Sequence, residues 1–579
     1  MVRVGIIGNG YFGKKIHASL KSLCDIRFFT GTDMNVTPDI DWVVIASSNE
    51  SHYELVKDYI VKGVNVFVEK PMTLSYENSK ELVELSKSAG VKLYIDDVFL
   101  YNPVVQLIPD YPLNSIRFEW NKYGSFNDSI FNNLAYHDIY MALHLGYDLS
   151  GDIEFKTNRI NEKEFSIGTA EFYYNRLSDT KLKNCIVGKF TFAFNTNLDL
   201  LNSMLHNVFL ENVDFERNNE LALKTNMVLD RLYEHKPTVA VVGAGIFGIT
   251  SALKLNDEFD VTLIEKNDDI LQNASAINQY RLHRGYHYPR SIETAVSAKK
   301  GTDSFIKEFP CELINTQQHY TIASKNSKVN SKEYEEFMNT MGLEYTKVSN
   351  ELVNPLTSGD TYLVSEQLFD PHMLYNICTK KLNDSNVLCF LNSEFNSTQI
   401  DYYDYVVNCT YAGLNAVYDD GQEYQFEVCE KPIVKLSEKY RGIGVVVMDG
   451  PFMCIDPYSD TEYHVMGNVV HAIHETNIGK LPTVSDKLKP FLNKGLVKNP
   501  PITKFNDFIE SASEFLDMSG VEHIGSMFTI RTVLANRDHD DARPSIVKKH
   551  KQNIYSIFSG KVSTAVDTAN ELYNYIIKS

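Results

Sequence analysis

The chain has 579 residues, which is too many for one ordinary hydrophobic core, so about three or four folding units are expected. Hydrophobic residues make up 43% and charged residues 23%, a balance typical of water-soluble globular proteins. The net charge of −19 argues against nucleic acid or an anionic membrane as a partner, because an acidic field repels polyphosphate.

The eight cysteines are scattered, with no CxxC pair and no zinc-like His/Cys spacing, so neither a disulfide framework nor a bound metal is indicated. A strand-like run starts at Val2, where a signal peptide would begin, and no apolar run is long enough to span a bilayer. These features predict a cytoplasmic protein that acts on a small molecule.

The order of the predicted elements favours an α/β fold with two nucleotide-binding halves. Short apolar strands alternate with helical patterns over residues 1–114, the rhythm of a parallel Rossmann sheet. Strand-like alternation then dominates 115–194, which predicts that 115–236 form an α+β domain with an antiparallel sheet, closed by a helix near 219–235. After Lys236-Pro237 the strand–turn–helix pattern starts again, so 237–579 is expected to form a second module.

A glycine-rich GxGxxG turn follows the first strand and leads into a helix. Glycine at these spacings allows a tight turn, close approach of the backbone to a pyrophosphate, and close packing of the helix on the strand. A tight turn in any α/β protein is the plainer alternative. The expected cofactor contacts are Gly8, Gly10, Tyr11, Phe12 and Gly13.

The second strand of this module has no carboxylate directly at its end. Asp33 is a candidate for holding the ribose, whereas Thr30 and Thr32 could instead face a ribose or a 2′-phosphate. The choice between NAD and NADP therefore stays open.

A second GxGxxG turn also lies between a strand and a helix, and here the following strand ends in a carboxylate. Glu265 stands at the end of the following strand, where a carboxylate can accept hydrogen bonds from ribose hydroxyls. The expected cofactor contacts here are Gly243, Gly245, Ile246, Phe247, Gly248, Glu265 and Lys266.

Glu69-Lys70-Pro71 ends a strand of the first half, and Asn133 and His137 follow in the second domain. With the first glycine turn, these residues resemble the Gfo/Idh/MocA family of NAD(P)-dependent oxidoreductases, which act mainly on sugars, inositols and nucleotide sugars. The resemblance implies that Glu69 contacts the cofactor and that Lys70 and His137 are catalytic. Lys70 suits this role because ligands of parallel sheets bind at the carboxyl ends of strands. His137 suits it because the unperturbed pKa of histidine lies near working pH. A structural histidine is the alternative for His137.

Two departures from the family pattern weaken the case for turnover. The family has an aspartate where this chain has Asn133, and a Thr-Pro where it has Ser47-Ser48. An N-terminal half that binds nucleotide but serves as a regulatory or scaffold module is therefore the alternative. The sequence also leaves open a homo-oligomer formed through the sheet of this module.

The second half contains a His/Arg/Tyr-rich segment at 278–290, a strand ending in Asn-Cys-Thr-Tyr-Ala-Gly at 408–413, and Gly-Lys-Val-Ser-Thr at 560–564. Together these resemble the FAD-dependent oxidoreductases of the D-amino-acid oxidase and glycerol-3-phosphate dehydrogenase superfamily. The resemblance implies an FAD-binding Rossmann-like domain with an inserted α+β substrate domain. It also implies that Gly560 and Lys561 contact the flavin, where Lys561 could stabilise developing negative charge.

Basic side chains of this half are candidates for binding a small anionic substrate, because guanidinium groups clamp carboxylates and phosphates. The plainer alternatives are a charged surface turn for residues 278–290 and a surface ion pair for each later arginine. The weaker candidate is Arg543, and the expected substrate contacts are Arg281, His283, His287 and Arg531.

The leading hypothesis is therefore a bifunctional oxidoreductase with FAD and NAD or NADP as cofactors. One module would act on a sugar-like hydroxyl or carbonyl, and the other would oxidise an amine or hydroxyl. One alternative is that only the FAD half is catalytic, and another is that both halves are nucleotide-sensing scaffolds without enzymatic activity.

Overall fold

A computed structural model describes residues 1–31, 39–108, 115–122, 128–195, 198–211, 213–349, 351–450, 452–535, 544–551 and 553–578. The chain divides into two compact units, Met1–Pro237 and Thr238–Ser579. Within the described ranges, no helix combines the length and the apolar character needed to cross a membrane.

The first unit opens with a five-stranded sheet in which every neighbouring pair runs parallel. Its order is β2-β1-β3-β4-β5, so the chain reverses direction of winding between β1 and β3, where ligands of such sheets bind. β3 is fully buried, as expected for a strand covered on both faces. The elements are β1 (Arg3–Ile7), α1 (Tyr11–Leu20), β2 (Asp25–Thr30), β3 (Trp42–Ile45), α2 (Asn49–Val61), β4 (Asn65–Val68), α3 (Tyr76–Ala89) and β5 (Leu93–Ile95).

A six-stranded sheet follows, in the order β11-β10-β6-β9-β8-β7. The elements are β6 (Ile116–Asn121), α4 (Tyr136–His144), β7 (Ile153–Arg159), β8 (Glu162–Ile167), β9 (Ala170–Asn175), β10 (Leu182–Val187), β11 (Phe190–Ala193), α5 (Leu200–Leu210) and α6 (Phe215–Tyr233).

This sheet corrects the expectation of an antiparallel sheet, because β6 and β9 pair in parallel. The chain leaves β6 through α4, and the meander β7-β8-β9 then brings β9 alongside β6 in the same direction. Helix α6 also begins earlier than predicted, because the side chain of Asp214 caps it by accepting a hydrogen bond from the Arg217 N–H.

The second unit contains a Rossmann-like sheet in the order β19-β13-β12-β20-β28-β27, parallel except for its last pair. A nine-stranded, mostly antiparallel sheet forms its other layer, with β26 pairing along β21. The strands are β12 (Thr238–Val242), β13 (Asp260–Ile264), β14 (Arg281–Leu282), β15 (Gln317–Ala323), β16 (Tyr345–Val348), β17 (Ser358–Val364), β18 (Gln367–Leu368), β19 (Leu388–Phe390), β20 (Tyr405–Asn408), β21 (Tyr424–Lys435), β22 (Ile443–Met448), β23 (Met453–Pro457), β24 (Tyr463–Asn468), β25 (Ile473–Gly479), β26 (Glu522–Leu534), β27 (Ile546–Lys551) and β28 (Ile554–Phe558).

Helices of the second unit connect and cover these sheets. They are α7 (Ile246–Leu255), α8 (Ile292–Glu308), α9 (Ser331–Thr340), α10 (Pro371–Asn383), α11 (Leu414–Val417), α12 (Phe505–Ser513) and α13 (Ala565–Lys578). The strands of the nine-stranded sheet come from both sides of β19 and β20 in sequence, so this layer is an insertion into the Rossmann-like part.

Candidate active sites

The first glycine turn lies between β1 and α1, beside the end of β3. Gly8 has a φ of +110°, and a Cβ there would lie 2.2 Å from the carbonyl oxygen of Ala46. A Cβ on Gly13 would lie 1.7 Å from the Gly8 oxygen, whereas one on Gly10 would meet no atom within 4 Å. The turn therefore packs tightly on the protein side and stays open at Gly10, which fits the close approach of a pyrophosphate.

The other predicted contacts of this turn are less defined. Tyr11 and Phe12 start α1 and are 70% and 54% exposed, so both rings are available beside the open side of the turn. Thr30 ends β2, and Asp33 and Thr32 lie outside the described residues.

Lys70 follows the carboxyl end of β4 and is half-buried. Its Nζ donates hydrogen bonds to the backbone oxygens of Asn132, at 2.8 Å, and of Asn133, at 3.3 Å. Burial lowers the pKa of Lys70, while the charges of Glu69 and Asp96 act in the opposite direction. A lysine held this way can exchange a proton more readily than a solvated one.

Glu69 directly precedes this lysine and is buried. Burial raises the pKa of Glu69 well above its usual value, and the neighbouring Asp96 adds to the effect. Among the residues that the structure describes, its buried Oε1 has no hydrogen-bond partner. An acceptor left in this state fits a bound polar ligand such as a nicotinamide nucleotide.

His137 lies in α4 with its ring centroid 4.8 Å from that of Phe99 and 6.0 Å from that of Trp120. Burial lowers the pKa of His137 well below its usual value, and the charges of Lys70, Lys183 and Lys122 act in the same direction. The neutral form of the ring is therefore strongly favoured. Its sequence neighbour Asp138 forms a fully buried ion pair with Lys183.

The second glycine turn repeats the geometry of the first. Gly243 has a φ of +99°, and a Cβ there would lie 3.0 Å from the Cys409 oxygen at the end of β20. A Cβ on Gly248 would lie 1.8 Å from the Gly243 oxygen. At Gly245 it would lie 3.2 Å from Ser275 Oγ, which accepts a hydrogen bond from the N–H of Ile246 at the start of α7. The cradle is thus shaped for a dinucleotide.

Glu265 directly follows β13 and is buried. Its carboxylate accepts hydrogen bonds from the N–H groups of Ala244, at 2.7 Å, and Asn267, at 2.9 Å. Carboxylate oxygens have further acceptor capacity, which suits ribose hydroxyls. Phe247 is buried within α7, and Lys266 is exposed.

The segment 278–290 lies on the nine-stranded sheet rather than forming a charged surface turn. Arg281 is buried in β14, and its Nη2 lies 2.5 Å from Asp456 Oδ2 of β23. Its Nε lies 3.7 Å from Glu366 Oε1. The guanidinium is therefore neutralised by the protein itself, and its first effect is to organise this sheet face.

His283 follows β14 and faces the same carboxylate. Its Nδ1 lies 3.1 Å from Glu366 Oε1, which also accepts a hydrogen bond from Tyr320 Oη at 2.7 Å. Burial lowers the pKa of His283, against the opposing charge of Glu366. A neutral imidazole that donates through Nδ1 presents Nε2 as a proton acceptor. The centroid of the His287 ring lies 5.5 Å from that of the His283 ring.

The remaining predicted residues reach this region from the last part of the chain. Arg531 of β26 forms an ion pair with Glu427, which lies directly opposite it in β21. Lys561 Nζ lies 4.2 Å from the centroid of the Tyr288 ring, beside Gly560. The structure thus brings the C-terminal loop next to the histidine segment, while Arg543 lies outside the described residues.

Several residues of this site carry no local sequence signal. Glu366 follows β17, Asp456 lies in β23, and both Glu427 and Lys431 lie in β21. Only the fold brings these side chains to their partners Arg281, His283, Arg531 and Gln279. Ser275 could have been noticed, because it precedes the histidine segment and a hydroxyl commonly serves a helix N-terminus.

The two units thus each place a glycine cradle at a switch point of a parallel sheet, beside ionisable side chains, an arrangement typical of dinucleotide-binding domains. Comparison with known proteins gives the families. Residues 24–96 match the Gfo/Idh/MocA model, described as an oxidoreductase family with an NAD-binding Rossmann fold. Residues 238–446 match the DAO model, described as FAD dependent oxidoreductase. The chain therefore contains a region similar to an NAD-binding Rossmann oxidoreductase domain and a region similar to an FAD-dependent oxidoreductase.

Individual proteins share only limited sequence identity with this chain. The FAD-dependent monooxygenase FPY4 of Fusarium mangiferae is 29% identical over 112 residues, which cover 19% of this chain and 30% of that protein. The uncharacterized oxidoreductase YdgJ of Escherichia coli (strain K12) is 32% identical over 111 residues, covering 15% and 32%. The chain thus spans about a third of these two relatives. The FAD-dependent monooxygenase kojA of Aspergillus flavus is 25% identical over 388 residues, covering 58% and 84%.

Proposed function

We propose that the protein is a bifunctional oxidoreductase. Its FAD module oxidises an amine or hydroxyl of a small anionic substrate, and its NAD(P) module acts on a sugar-like hydroxyl or carbonyl. The observation that carries the proposal is the pairing of a neutral imidazole, His283, with the buried carboxylate of Glu366 on the sheet face of the FAD module.

In the FAD module, the bound cofactor supplies a two-electron acceptor. The substrate O–H or N–H proton passes to Nε2 of His283, while the Nδ1–H is held by Glu366. Because Glu366 has a pKa below its usual value despite its burial, it stays ionised and stabilises the imidazolium that results. Arg281 and Asp456 hold the neighbouring backbone in place as a buried ion pair.

In the NAD(P) module, the bound nicotinamide supplies a hydride acceptor or donor. Lys70, with its pKa lowered by burial, binds the substrate oxygen and moves its proton, and neutral His137 is the second proton acceptor. The family resemblance and the position of Lys70 after β4 support this assignment.

One observation favours a second candidate, in which only the FAD module turns over. Burial and the charges of three lysines lower the pKa of His137, and no carboxylate of the described part of the chain is recorded as opposing them. Such a histidine has nothing to stabilise its protonated form, so the first module would bind nucleotide without efficient chemistry.

To test the FAD proposal, the FAD-loaded protein is mixed under anaerobic conditions with amino acids, 2-hydroxy acids or amines. Reduction of the flavin is followed as a loss of its absorbance. His283→Gln should retain FAD and reduce the flavin about 100-fold more slowly, since a positioned base contributes at least that much. His372→Gln, an exposed histidine in α10, is the control. Full-rate reduction in the His283 variant would contradict the assigned role. Because two relatives are FAD-dependent monooxygenases, consumption of dioxygen is measured in parallel.

The NAD(P) proposal is tested by NAD(P)H formation with sugars and nucleotide sugars. Lys70→Ala should abolish it, whereas Lys80→Ala, on the exposed face of α3, should not change it. Equal rates in wild type and Lys70→Ala, or no turnover with nucleotide bound, would favour the second candidate.

A further inference from the structure

Two basic residues stand at neighbouring strand ends of the six-stranded sheet, and neither was among the predicted site residues. Lys122 directly follows β6, and Arg176 directly follows β9. These strands pair in parallel, with Asn121 opposite Asn175. The N–H of Lys122 also donates a hydrogen bond to the backbone oxygen of Asn175 at 3.1 Å. The pairing therefore places the two basic residues side by side at one end of the sheet.

This end of the sheet lies beside the proposed reaction centre of the NAD(P) module. Lys122 Nζ lies 5.8 Å from the centroid of the Trp120 ring, which lies 6.0 Å from that of the His137 ring. The charge of Lys122 lowers the pKa of His137, and the charge of Arg176 lowers the pKa of Lys70. The two basic side chains therefore act on the groups proposed to move protons.

Both side chains are withdrawn from water. Arg176 is only 4% exposed, and Lys122 is half-buried. Burial lowers the pKa of each, and the charges of Lys70 and Arg176 lower the pKa of Lys122 further. Gathering like charges away from water is costly, and a ligand of opposite charge offsets that cost.

Asp128 is the carboxylate whose charge acts on both Lys70 and Arg176, where it opposes the effect of burial on each pKa. It also accepts hydrogen bonds from the side-chain amides of Asn49, at 3.0 Å, and Asn132, at 3.1 Å. One carboxylate with other hydrogen-bond donors thus serves two cations.

The other acidic groups of this region add little negative charge. Burial raises the pKa of Glu69 and of Asp96, which favours their neutral forms. Asp138 is held by Lys183 in a buried ion pair. The five residues that follow Lys122 in the sequence include no acidic residue. Positive charge is therefore in excess among the described side chains around this end of the sheet.

We propose that Lys122 and Arg176 bind an anionic group of the substrate of the NAD(P) module. This inference rests on the NAD(P) function proposed above and gives it a substrate class, a small polyol that carries a carboxylate or a phosphate. An ammonium and a guanidinium side by side suit either group, because both anions accept several hydrogen bonds.

The negative charge of such a substrate also bears on the departure from the family pattern at Asn133. A bound anion beside Lys122 opposes the lysine charges that act on His137. The substrate thereby supplies, next to the histidine, the negative charge that an aspartate at residue 133 would have provided.

The test measures binding to the full-length protein, saturated with nicotinamide nucleotide, by calorimetry at low ionic strength. The probes are glucuronate, glucose 6-phosphate and uncharged glucose, so the two anion arms distinguish a carboxylate from a phosphate. Wild type should bind one of the anions about tenfold or more tightly than glucose. Lys122→Met should remove most of that preference without changing glucose affinity, and Lys122→Arg should keep it. Lys156→Met is the matched control, because Lys156 is an exposed lysine of the same sheet that pairs with Glu164.

Arg176→Gln gives an independent readout if the lysine variants do not fold, and retention of the nicotinamide nucleotide reports on folding in each case. It removes the second cation, so anion affinity should fall by a similar factor. Equal affinity of wild type for the anions and for glucose, or an anion preference that survives in the folded variants, would overturn the inference. The Lys70→Ala experiment reports on turnover separately. Anion preference without turnover would contradict the proposed function and leave the binding site standing.

Discussion

The two glycine turns of this protein are nearly the same backbone in different surroundings. Each follows the central strand at a switch point of a parallel sheet, and a Cβ on the third glycine would lie 1.7 Å from Gly8 O in one and 1.8 Å from Gly243 O in the other. What differs is the chemistry beside each turn. The comparison teaches that a strand–turn–helix unit determines where a dinucleotide binds, and that distant strands determine what is done with it.

Electrostatics separates the two sites most clearly. In the first unit, His137 is surrounded by the charges of lysines, whereas His283 in the second unit faces the carboxylate of Glu366. A histidine beside a carboxylate can hold a transferred proton, and a histidine among lysines releases it readily. The second site is therefore the better equipped for proton abstraction.

The largest expected effect comes from the buried ion pair of each unit. Asp138→Asn in the first unit removes the ion-pair partner of buried Lys183, and Asp456→Asn in the second removes the nearer of the two carboxylates beside buried Arg281. We expect the first to destabilise the protein by about 3–5 kcal/mol and the second by somewhat less, because Glu366 remains. Denaturant unfolding measures the free energy. Glu438→Gln, which breaks an exposed pair with Arg441, should have no measurable effect. Losses below about 1 kcal/mol in both aspartate variants would show that these pairs do not organise the sites.

A smaller effect concerns pH. Burial raises the pKa of Asp97 to about 7, so its contribution to stability is full below the usual carboxyl pKa and is lost as pH rises through about 7. Glu366 has a lowered pKa and acts in the opposite direction, with its contribution lost as pH falls. Between about pH 5 and pH 8, wild type should therefore lose stability that Asp97→Asn does not lose, so the difference in free energy of unfolding should shift in favour of the variant. Calorimetry at both pH values measures this difference. An identical pH dependence in both proteins would contradict the shift.

The smallest expected effect restores the family's aspartate in the first site. Asn133→Asp places a carboxylate one helical turn before His137, which should raise the pKa of that histidine and increase NAD(P)H formation about tenfold. Steady-state kinetics at saturating nucleotide checks this. An unchanged rate with normal nucleotide binding would mean that residue 133 does not assist the histidine, and the contrast between the two sites would then need another cause.

The sequence predicted the parts of these sites that depend on local pattern. Both glycine turns, Lys70 after its strand and Glu265 after β13 were predictable because a strand, turn and helix are contiguous in the chain. Glu366, Asp456 and Lys431 were not, because their partners Arg281 and Gln279 are far away in sequence and meet them only through sheet pairing. The parallel pairing of β6 with β9 was missed for the same reason.

The two glycine turns should bind different cofactors independently of each other. Mass spectrometry of the ligands released from purified protein tests this most directly. Wild type should release FAD and a nicotinamide nucleotide. Gly248→Val should lose FAD and keep the nicotinamide nucleotide, whereas Gly13→Val should do the reverse, because each added side chain would clash with the backbone of its own turn. Retention of FAD by Gly248→Val, or loss of both nucleotides in each variant, would contradict the claim.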